Sequence, residues 1–257
     1  MKIEVFPAER ETILPLRDLY RQELGCQIVH DNSHARDKCV EWHVIHLEGD
    51  LAAYGAFWIG PYWLKKGTLF EYFVLPAHRP ATYPTFEKLL AAIKPIQIHT
   101  QTNDPFLGVL IYDFVAKIEV GHILFEDHLL TNHSAEGLKF RRARPEDKDR
   151  IFEHKVQGVG DWVLEFDGQV VATGDVLYHY NPPYGDIFME VHPDFRRRGF
   201  GTYLVQELKA ECRRTGRVPA ARTKPVNIAS RRTLERAGFA PCARLIWGDV
   251  AAGKIKS

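Results

Sequence analysis

The sequence predicts an α/β fold built as two tandem copies of one unit. Three observations predict it. Strand-like apolar alternation and helical apolar stripes succeed one another along all 257 residues, the pattern of helices packed on sheet. The first half then returns in the second. Placing Gly49 on Gly168 also puts Ala53 on Ala172 and Gly55 on Gly174; placing Pro76 on Pro193 puts Val74 on Val191 and Arg79 on Arg196. Finally, Asn103 matches Asn227, each opening a helix that leads to a last strand. The expected domains are 1–133 and 137–257, joined by a polar segment with little periodicity.

In the first copy, 3–6 reads as a strand and 15–24 as a helix whose apolar stripe is Leu16, Leu19, Tyr20 and Leu24. A polar loop, 27–38, follows. Residues 41–47 and 51–58 form a hairpin about Glu48-Gly49-Asp50. Then come a strand at 68–75, a helix at 83–93 and a strand at 96–100. Asn103-Asp104-Pro105 starts a helix running to about 115, with Pro near its first position, and 117–125 is the closing strand. In the second copy 138–143 is a strand and Pro145 opens a short helix. A hairpin of 161–166 and 169–177 turns at Asp167-Gly168. A strand through 186–190, a helix at 203–214 and a strand at 218–222 precede the helix at Asn227.

Composition narrows the function. A hydrophobic share of 45% supports packed cores, and a net charge of +1 gives no global field for nucleic acid or anionic membrane. The most apolar stretch, 51–64, is too short to span a bilayer and holds Gly60 and Pro61. Met1-Lys2-Ile3-Glu4 carries charges where a secretory signal needs an apolar run. A soluble cytoplasmic protein without nucleic-acid or membrane partners is expected, as monomer or homodimer. Cys26, Cys39, Cys212 and Cys242 form no Cys-x-x-Cys pair and read as buried or inert thiols in a reducing compartment. His30, Asp31, His34, Asp37 and Cys39 crowd one segment. No regular element gathers them, so a solvated loop is expected there, and no metal site.

The most informative stretch runs from Val191 through His192-Pro193-Asp194-Phe195-Arg196-Arg197-Arg198-Gly199-Phe200-Gly201 to Thr202. A strand enters it and a helix leaves it. Helix N-termini present unpaired N–H groups and the positive end of the dipole. Gly199 and Gly201 let backbone bend and approach a bulky anion, successive amides form a nest, and three arginines add charge. The stretch reads as a pyrophosphate cradle. It lacks the Gly-Lys-Ser/Thr of a P-loop and the glycine spacing of a dinucleotide fingerprint.

"VHPDFRRRGFG", followed about twenty-five residues later by "NIASRRTLERAGF", resembles the GNAT superfamily of acyltransferases. The resemblance implies two GNAT-like units, each a mixed, mostly antiparallel twisted sheet flanked by helices, and acetyl-CoA as cosubstrate, with a longer acyl donor left open. It implies a slot between the strand ending at Val191 and the strand at 218–222. Pantetheine would pair there with backbone of Met189 and Val191. The pyrophosphate would meet Arg198, Gly199, Phe200, Gly201 and Thr202, with charge from Arg196 and Arg197. Asn227, otherwise a helix cap, and Arg231, otherwise a solvated charge, would reach the cofactor. In the first copy Thr82 and Pro84 replace Gly199 and Gly201, and Pro80 stands in place of Arg197. The prolines carry no N–H, so that copy is expected to be degenerate and without a CoA site.

The implied reaction is acetyl transfer to an amine of a small molecule; the alternative is a non-catalytic CoA-binding or interaction module. A carboxylate would take the amine proton. Glu190 is the first choice and Asp186 the second, on one face of the strand unless a bulge changes parity. Many superfamily members place a tyrosine acid five residues before the phenylalanine of Gly238-Phe239. Leu234 stands there, leaving Ser230 as candidate donor. Tyr178, His179, Tyr180 and Tyr184 crowd the preceding loop, where they line the acceptor side or pack over it. Trp58, Tyr62 and Trp63 are aromatic candidates on the first copy, with core packing as their other reading.

Overall fold

Apolar runs that alternate become strands, and those with helical spacing become the helices that cover them. In the computed structural model, which describes residues 1–36, 38–134, 136–147 and 160–254, the first copy holds β1 (Ile3–Ala8), α1 (Arg10–Leu24), β2 (Val40–Leu47), β3 (Asp50–Trp58), β4 (Thr68–Val74), α2 (Thr82–Ile93), β5 (Gln97–Gln101), α3 (Leu107–Phe114) and β6 (Glu119–Asp127). The second holds β7 (Leu138–Arg142), β8 (Trp162–Phe166), β9 (Gln169–Leu177), β10 (Tyr184–Val191), α4 (Phe200–Arg214), β11 (Val218–Thr223), α5 (Ile228–Arg236) and β12 (Phe239–Asp249). Where a helix is expected after Pro145, the structure describes a single 3₁₀ turn, Pro145–Asp147; residues 148–159 lie outside the described residues. No helix among the described residues is long and apolar enough to cross a membrane.

Two local differences from the sequence reading have simple causes. Helix α1 starts five residues earlier than expected, with Pro15 inside it. Pro15 cannot donate to the carbonyl of Glu11, and both residues lie away from the core, so the helix tolerates the missing bond at its surface. The buried stripe of α1 is Ile13, Leu16, Arg17 and Tyr20. Leu19 is exposed and an arginine takes a core position instead.

Residues 1–122 with 243–257 form one compact unit, and residues 123–242 form the other. The domains expected at 1–133 and 137–257 divide the sequence; strand pairing groups the chain differently at the ends. In the first unit the strand order is β1, β2, β3, β4, β5 and then the C-terminal part of β12, which pairs antiparallel with β5 from Leu245↔Gln101 to Asp249↔Gln97. In the second it is the C-terminal part of β6, β11, β10, β9, β8, β7, with β6 antiparallel to β11 from Ile123↔Thr223 to Glu126↔Ala220. Each copy thus lends its last strand to the other unit.

Each sheet is mixed and mostly antiparallel. The parallel pairs are β4 with β5 and β10 with β11. Ile13, Tyr54, Phe73, Phe86, Leu89 and Ile98 centre the first core; Phe125, Leu164, Val171, Leu204, Leu208 and Leu234 centre the second. Burying such a side chain contributes roughly 1.5–3 kcal/mol. The two units share one packing device. A Cβ added at Gly55 of β3 would stand 2.5 Å from Leu89 Cδ2 of α2. A Cβ at Gly174 of β9 would stand 2.7 Å from Leu208 Cδ1 of α4. Both glycines let the helix after the next strand settle onto the sheet, as the equivalence of Gly55 and Gly174 predicts.

Candidate functional site

In the second unit, β10 and β11 pair only at Tyr184↔Val218, Gly185↔Pro219 and Asp186↔Ala220. Beyond Asp186 they part. Along its other edge β10 stays paired with β9 through Val191↔Ala172, without a register shift. The His192 N–H donates to the Val171 carbonyl at 2.9 Å. Backbone groups alternate between the two edges of a strand. Those of Glu190 and His192 therefore go to β9, and those of Met189 and Val191 face the parted edge. Arg196 Nε donates to the Val191 carbonyl at 3.1 Å, which leaves the Val191 N–H and both Met189 groups facing that edge.

The turn after β10 takes the shape its residues require. Arg197 has φ 64° and Gly199 φ 84°, two left-handed residues in one short turn. Such conformations bring successive N–H groups to one side, forming a nest. Gly199 caps α4 without a side-chain hydrogen bond, so the N–H groups of the first helical turn have no intrahelical partner. A Cβ at Gly199 would meet nothing within 4 Å, whereas one at Gly201 would meet Val191 Cγ2 and Thr233 Cγ2 at 3.3 Å. Gly199 serves backbone conformation beside open space, and Gly201 serves close packing of α4. Phe200 and Thr202 are buried, while Arg196, Arg197 and Arg198 are exposed. The Arg198 guanidinium lies over the Phe195 ring at 5.0 Å.

Asn227 caps α5, its Oδ1 accepting from the Ser230 N–H at 3.1 Å. Arg231 Nε lies 3.7 Å from Glu235 Oε1. Ser230 is half-buried in the first turn of α5, and Leu234 is buried in the core. Because β10 carries no bulge, Asp186 and Glu190 share a face. Met189 and Val191 pack toward α4 and α5 at Gly201, so that shared face is the opposite one. Asp186 is 5% exposed at the point where the sheet opens. Its Oδ2 lies 3.1 Å from His179 Nε2 and 3.5 Å from Arg222 Nε. Arg222 Nη2 is 3.3 Å from His179 Nε2. Tyr180 packs edge-on to the His179 ring at 4.6 Å. Burial, and then the Asp186 charge, push the Tyr180 hydroxyl well above its ordinary pKa, so it stays protonated. The sequence showed the aromatic crowding here, but nothing in a strand of the composition of β11 pointed to Arg222.

The first unit also parts two parallel strands, β4 and β5, after Leu69↔Ile98. Its exit from β4 is different. The chain enters α2 through a 3₁₀ turn, Pro76–Ala81, and Thr82 has φ −53°. Thr82 Oγ1 donates to the Arg79 carbonyl at 2.7 Å. Gln101 Nε2 donates to the Gln27 carbonyl at 2.9 Å, the Val29 N–H donates to Gln101 Oε1 at 3.2 Å, and His30 Nε2 lies 2.6 Å from His99 Nδ1.

The expectation of a solvated loop at 27–38 is corrected. His30, Asp31, Ser33 and His34 are buried, and a charge network holds Asp31 and His34. Arg17 Nη2 donates to Asp31 Oδ1 at 2.7 Å and Arg17 Nε to Glu71 Oε1 at 2.9 Å. Tyr54 OH also donates to Glu71 Oε1, at 2.8 Å. Trp42 Nε1 donates to His34 Nδ1, which leaves His34 Nε2 facing Glu71 Oε1 at 3.2 Å. Despite its burial, Glu71 is held well below the usual carboxylate range by Arg17 and His34; burial lowers the His34 pKa. Asp37 lies outside the described residues. Among the described residues no three His, Cys, Asp or Glu converge as a metal site. Trp58 is fully buried against Val40, Ala56 and Phe70, and Trp63 packs edge-on to His30 at 4.6 Å.

Comparison with known proteins agrees with this geometry. The family model described as Acetyltransferase (GNAT) family matches residues 126–239. A GNAT-family acetyltransferase from Colwellia psychrerythraea shares the fold at TM-score 0.72 and 14% identity, covering 98% of this chain and 100% of its own. A tandem GNAT protein from the clavulanic acid biosynthesis pathway aligns at TM-score 0.61 and 13% identity over 97% and 98% of the two chains. A GCN5-related N-acetyltransferase from Sphaerobacter thermophilus aligns at 0.59 and 15% over 96% and 95%. No curated protein matches the chain in sequence. Nearly the whole chain therefore has a fold found in GNAT proteins, a tandem one among them, and residues 126–239 match the model of the GNAT acetyltransferase family.

Proposed function

We propose that the second unit transfers an acetyl group from acetyl-CoA to an amine of a small molecule. The observation that carries this reading is the turn 196–202: two left-handed residues and an uncapped helix N-terminus, open at Gly199, beside parted strands. The cosubstrate fits the residues present. N–H groups of Arg198 to Thr202 would hold the pyrophosphate, with charge from Arg197 and Arg198. Backbone of Met189 and Val191 would pair with pantetheine along the parted edge. Asn227, through its amide nitrogen, and Arg231 would reach the nucleotide end. When bound, acetyl-CoA supplies an activated acyl group and a thiol leaving group.

The parting of the strands orients the chemistry. Five residue steps separate Asp186 from Val191, about 16 Å of strand, comparable with an extended pantetheine arm. The acyl end then lies toward Asp186 and the pyrophosphate toward Arg198. We therefore assign acid–base chemistry to Asp186 and its neighbours, with Glu190, beside Val191, as the alternative carboxylate. Ser230 is the candidate proton donor to the thiol, though a thiol of pKa near 8.5 leaves readily without one. The first unit is read as a degenerate copy without its own CoA site, in a soluble cytoplasmic protein.

Leu234, buried where many family members carry a tyrosine acid, favours a second reading, a CoA-binding module without catalysis. Release of free thiol from acetyl-CoA separates the two readings, measured with ethanolamine, spermidine, 2-phenylethylamine and glucosamine against hydrolysis as background. Amine-dependent release establishes the enzyme. Tight CoA binding with no release above background leaves the module.

A further inference from the structure

We propose that His179 is the general base of the second unit and that Asp186 is its positioning residue. The proposal rests on the acetyltransferase reading above and adds a residue to it. His179 Nε2 stands 3.1 Å from Asp186 Oδ2. Arg222 Nη2 also approaches that nitrogen, at 3.3 Å, but the two contacts ask for opposite tautomers. A bare Nε2 would set its lone pair against a carboxylate oxygen that is closer than the guanidinium. The favoured arrangement has a protonated Nε2 facing the Asp186 carboxylate, while Arg222 turns its own Nε to the same carboxylate at 3.5 Å. Nδ1 then carries the lone pair. Carboxylate–imidazole pairing of this kind fixes ring orientation and tautomer in other enzymes.

Position and exposure fit the role. Asp186 forms the last β10–β11 pair before the strands part, so the pair sits at the closed end of the slot. Asp186 is 5% exposed, and Tyr180 behind it 3%. The His179 side chain keeps 25% of its surface in solvent, enough for an acceptor to reach it. Among the described residues the charged and titratable groups in contact with His179 are Asp186 on β10, Arg222 on β11 and Tyr180 in its own segment, with Cys242 near Tyr180. Of these only His179 offers an unprotonated nitrogen. Asp186 is engaged by the imidazole and the guanidinium, and Tyr180 stays protonated.

The step balances without further reagents. As the amine nitrogen forms its bond to the acetyl carbon, His179 Nδ1 takes the proton the nitrogen sheds. The C–S bond breaks and its electron pair leaves on sulfur. The thiolate takes its proton from Ser230, which solvent reprotonates, and the imidazolium, its second N–H facing Asp186, releases to solvent the proton it took. The net reaction is amine plus acetyl-CoA giving amide plus CoA thiol.

Three measurements on the full-length protein test this: CoA affinity by calorimetry, the melting transition, and the pH profile of thiol release with the best amine of the panel. In His179→Gln, CoA affinity and melting stay as in wild type. Turnover falls by ~10²–10⁴-fold, and the fall in rate toward acid pH disappears. In Asp186→Asn the turnover loss is smaller. Its acid limb moves to lower pH, because the lost negative charge no longer favours the imidazolium. His179→Gln with full turnover overturns the proposal, as does an unchanged acid limb in both variants. Wild-type protein that binds CoA but releases no thiol overturns the acetyltransferase reading and this proposal together. Loss confined to Glu190→Gln, with both other variants active, transfers the base to Glu190 and rejects His179.

Discussion

The two units open parallel strands in the same place and do different things with the opening. In the second, the chain leaves β10 through left-handed residues into an uncapped helix, and the backbone edge of Met189 and Val191 stays unpaired by strand. In the first, it leaves β4 through a proline-bearing 3₁₀ turn, and side chains of β5 are tied to the segment after α1. The buried polar groups differ to match. Asp186 has a partly exposed histidine beside it. Glu71 has Arg17, Tyr54 and His34, all buried. One fold thus carries a carboxylate beside a partly exposed histidine in one unit and a carboxylate locked into the core in the other. Local residues at the turn and on the strand decide which.

The largest effect that would sharpen this contrast is on stability. Glu71→Ala leaves Arg17 buried with only Asp31 opposite and should cost about 3–5 kcal/mol of unfolding free energy, read by denaturant titration. A loss under about 1 kcal/mol would mean that the network is not what holds 27–34 inside. A smaller effect compares the two packing glycines. The added Cβ of Gly174→Ala meets a backbone oxygen, Phe188 O at 2.6 Å, besides Leu208, whereas that of Gly55→Ala meets only the flexible Leu89. Both should destabilise, Gly174→Ala by about 1–3 kcal/mol and Gly55→Ala by less. The reverse order would deny that the Phe188 carbonyl of β10 is the harder obstacle.

The smallest effect is a pH dependence confined to the first unit. Burial, and next the nearby His122, push the His99 pKa down to about 3, below its ordinary value of about 6.5. The unfolded chain therefore binds a proton that the folded chain refuses, and stability falls as pH drops from about 6.5 toward 3. The loss between pH 7 and 5.5 is about 1 kcal/mol. Asp104 acts oppositely: burial raises it to about 6, so its protonation restores stability as pH falls below 6. His99→Gln removes only the first contribution and should flatten the acid-side decline in melting temperature. An unchanged slope would place the titration elsewhere.

Much of this was legible in the sequence, for physical reasons. The repeat was visible because Gly55 and Gly174 serve the same close approach of a helix. The turn 196–202 was visible because left-handed backbone at a helix start calls for glycine. The exchange of β6 and β12 was not, since a strand's pattern shows its faces and not its neighbour. The buried network was misread because 27–38 is polar in composition. Its clues lay in the partners: Arg17 at helical spacing within the stripe of α1, and Glu71 in the otherwise apolar strand β4. Arg222 and His179 meet only through folding, on residues with no motif of their own.

The second unit should bind acetyl-CoA through the turn 196–202, and the first should not bind it. Calorimetric titration of the full chain with CoA tests this most directly. One site per chain is predicted, abolished by Gly201→Pro, which removes an N–H from the cradle and crowds Val191 and Thr233, and unaffected by Thr82→Ala. Two equivalent sites, or one site that survives Gly201→Pro in folded protein, would contradict it.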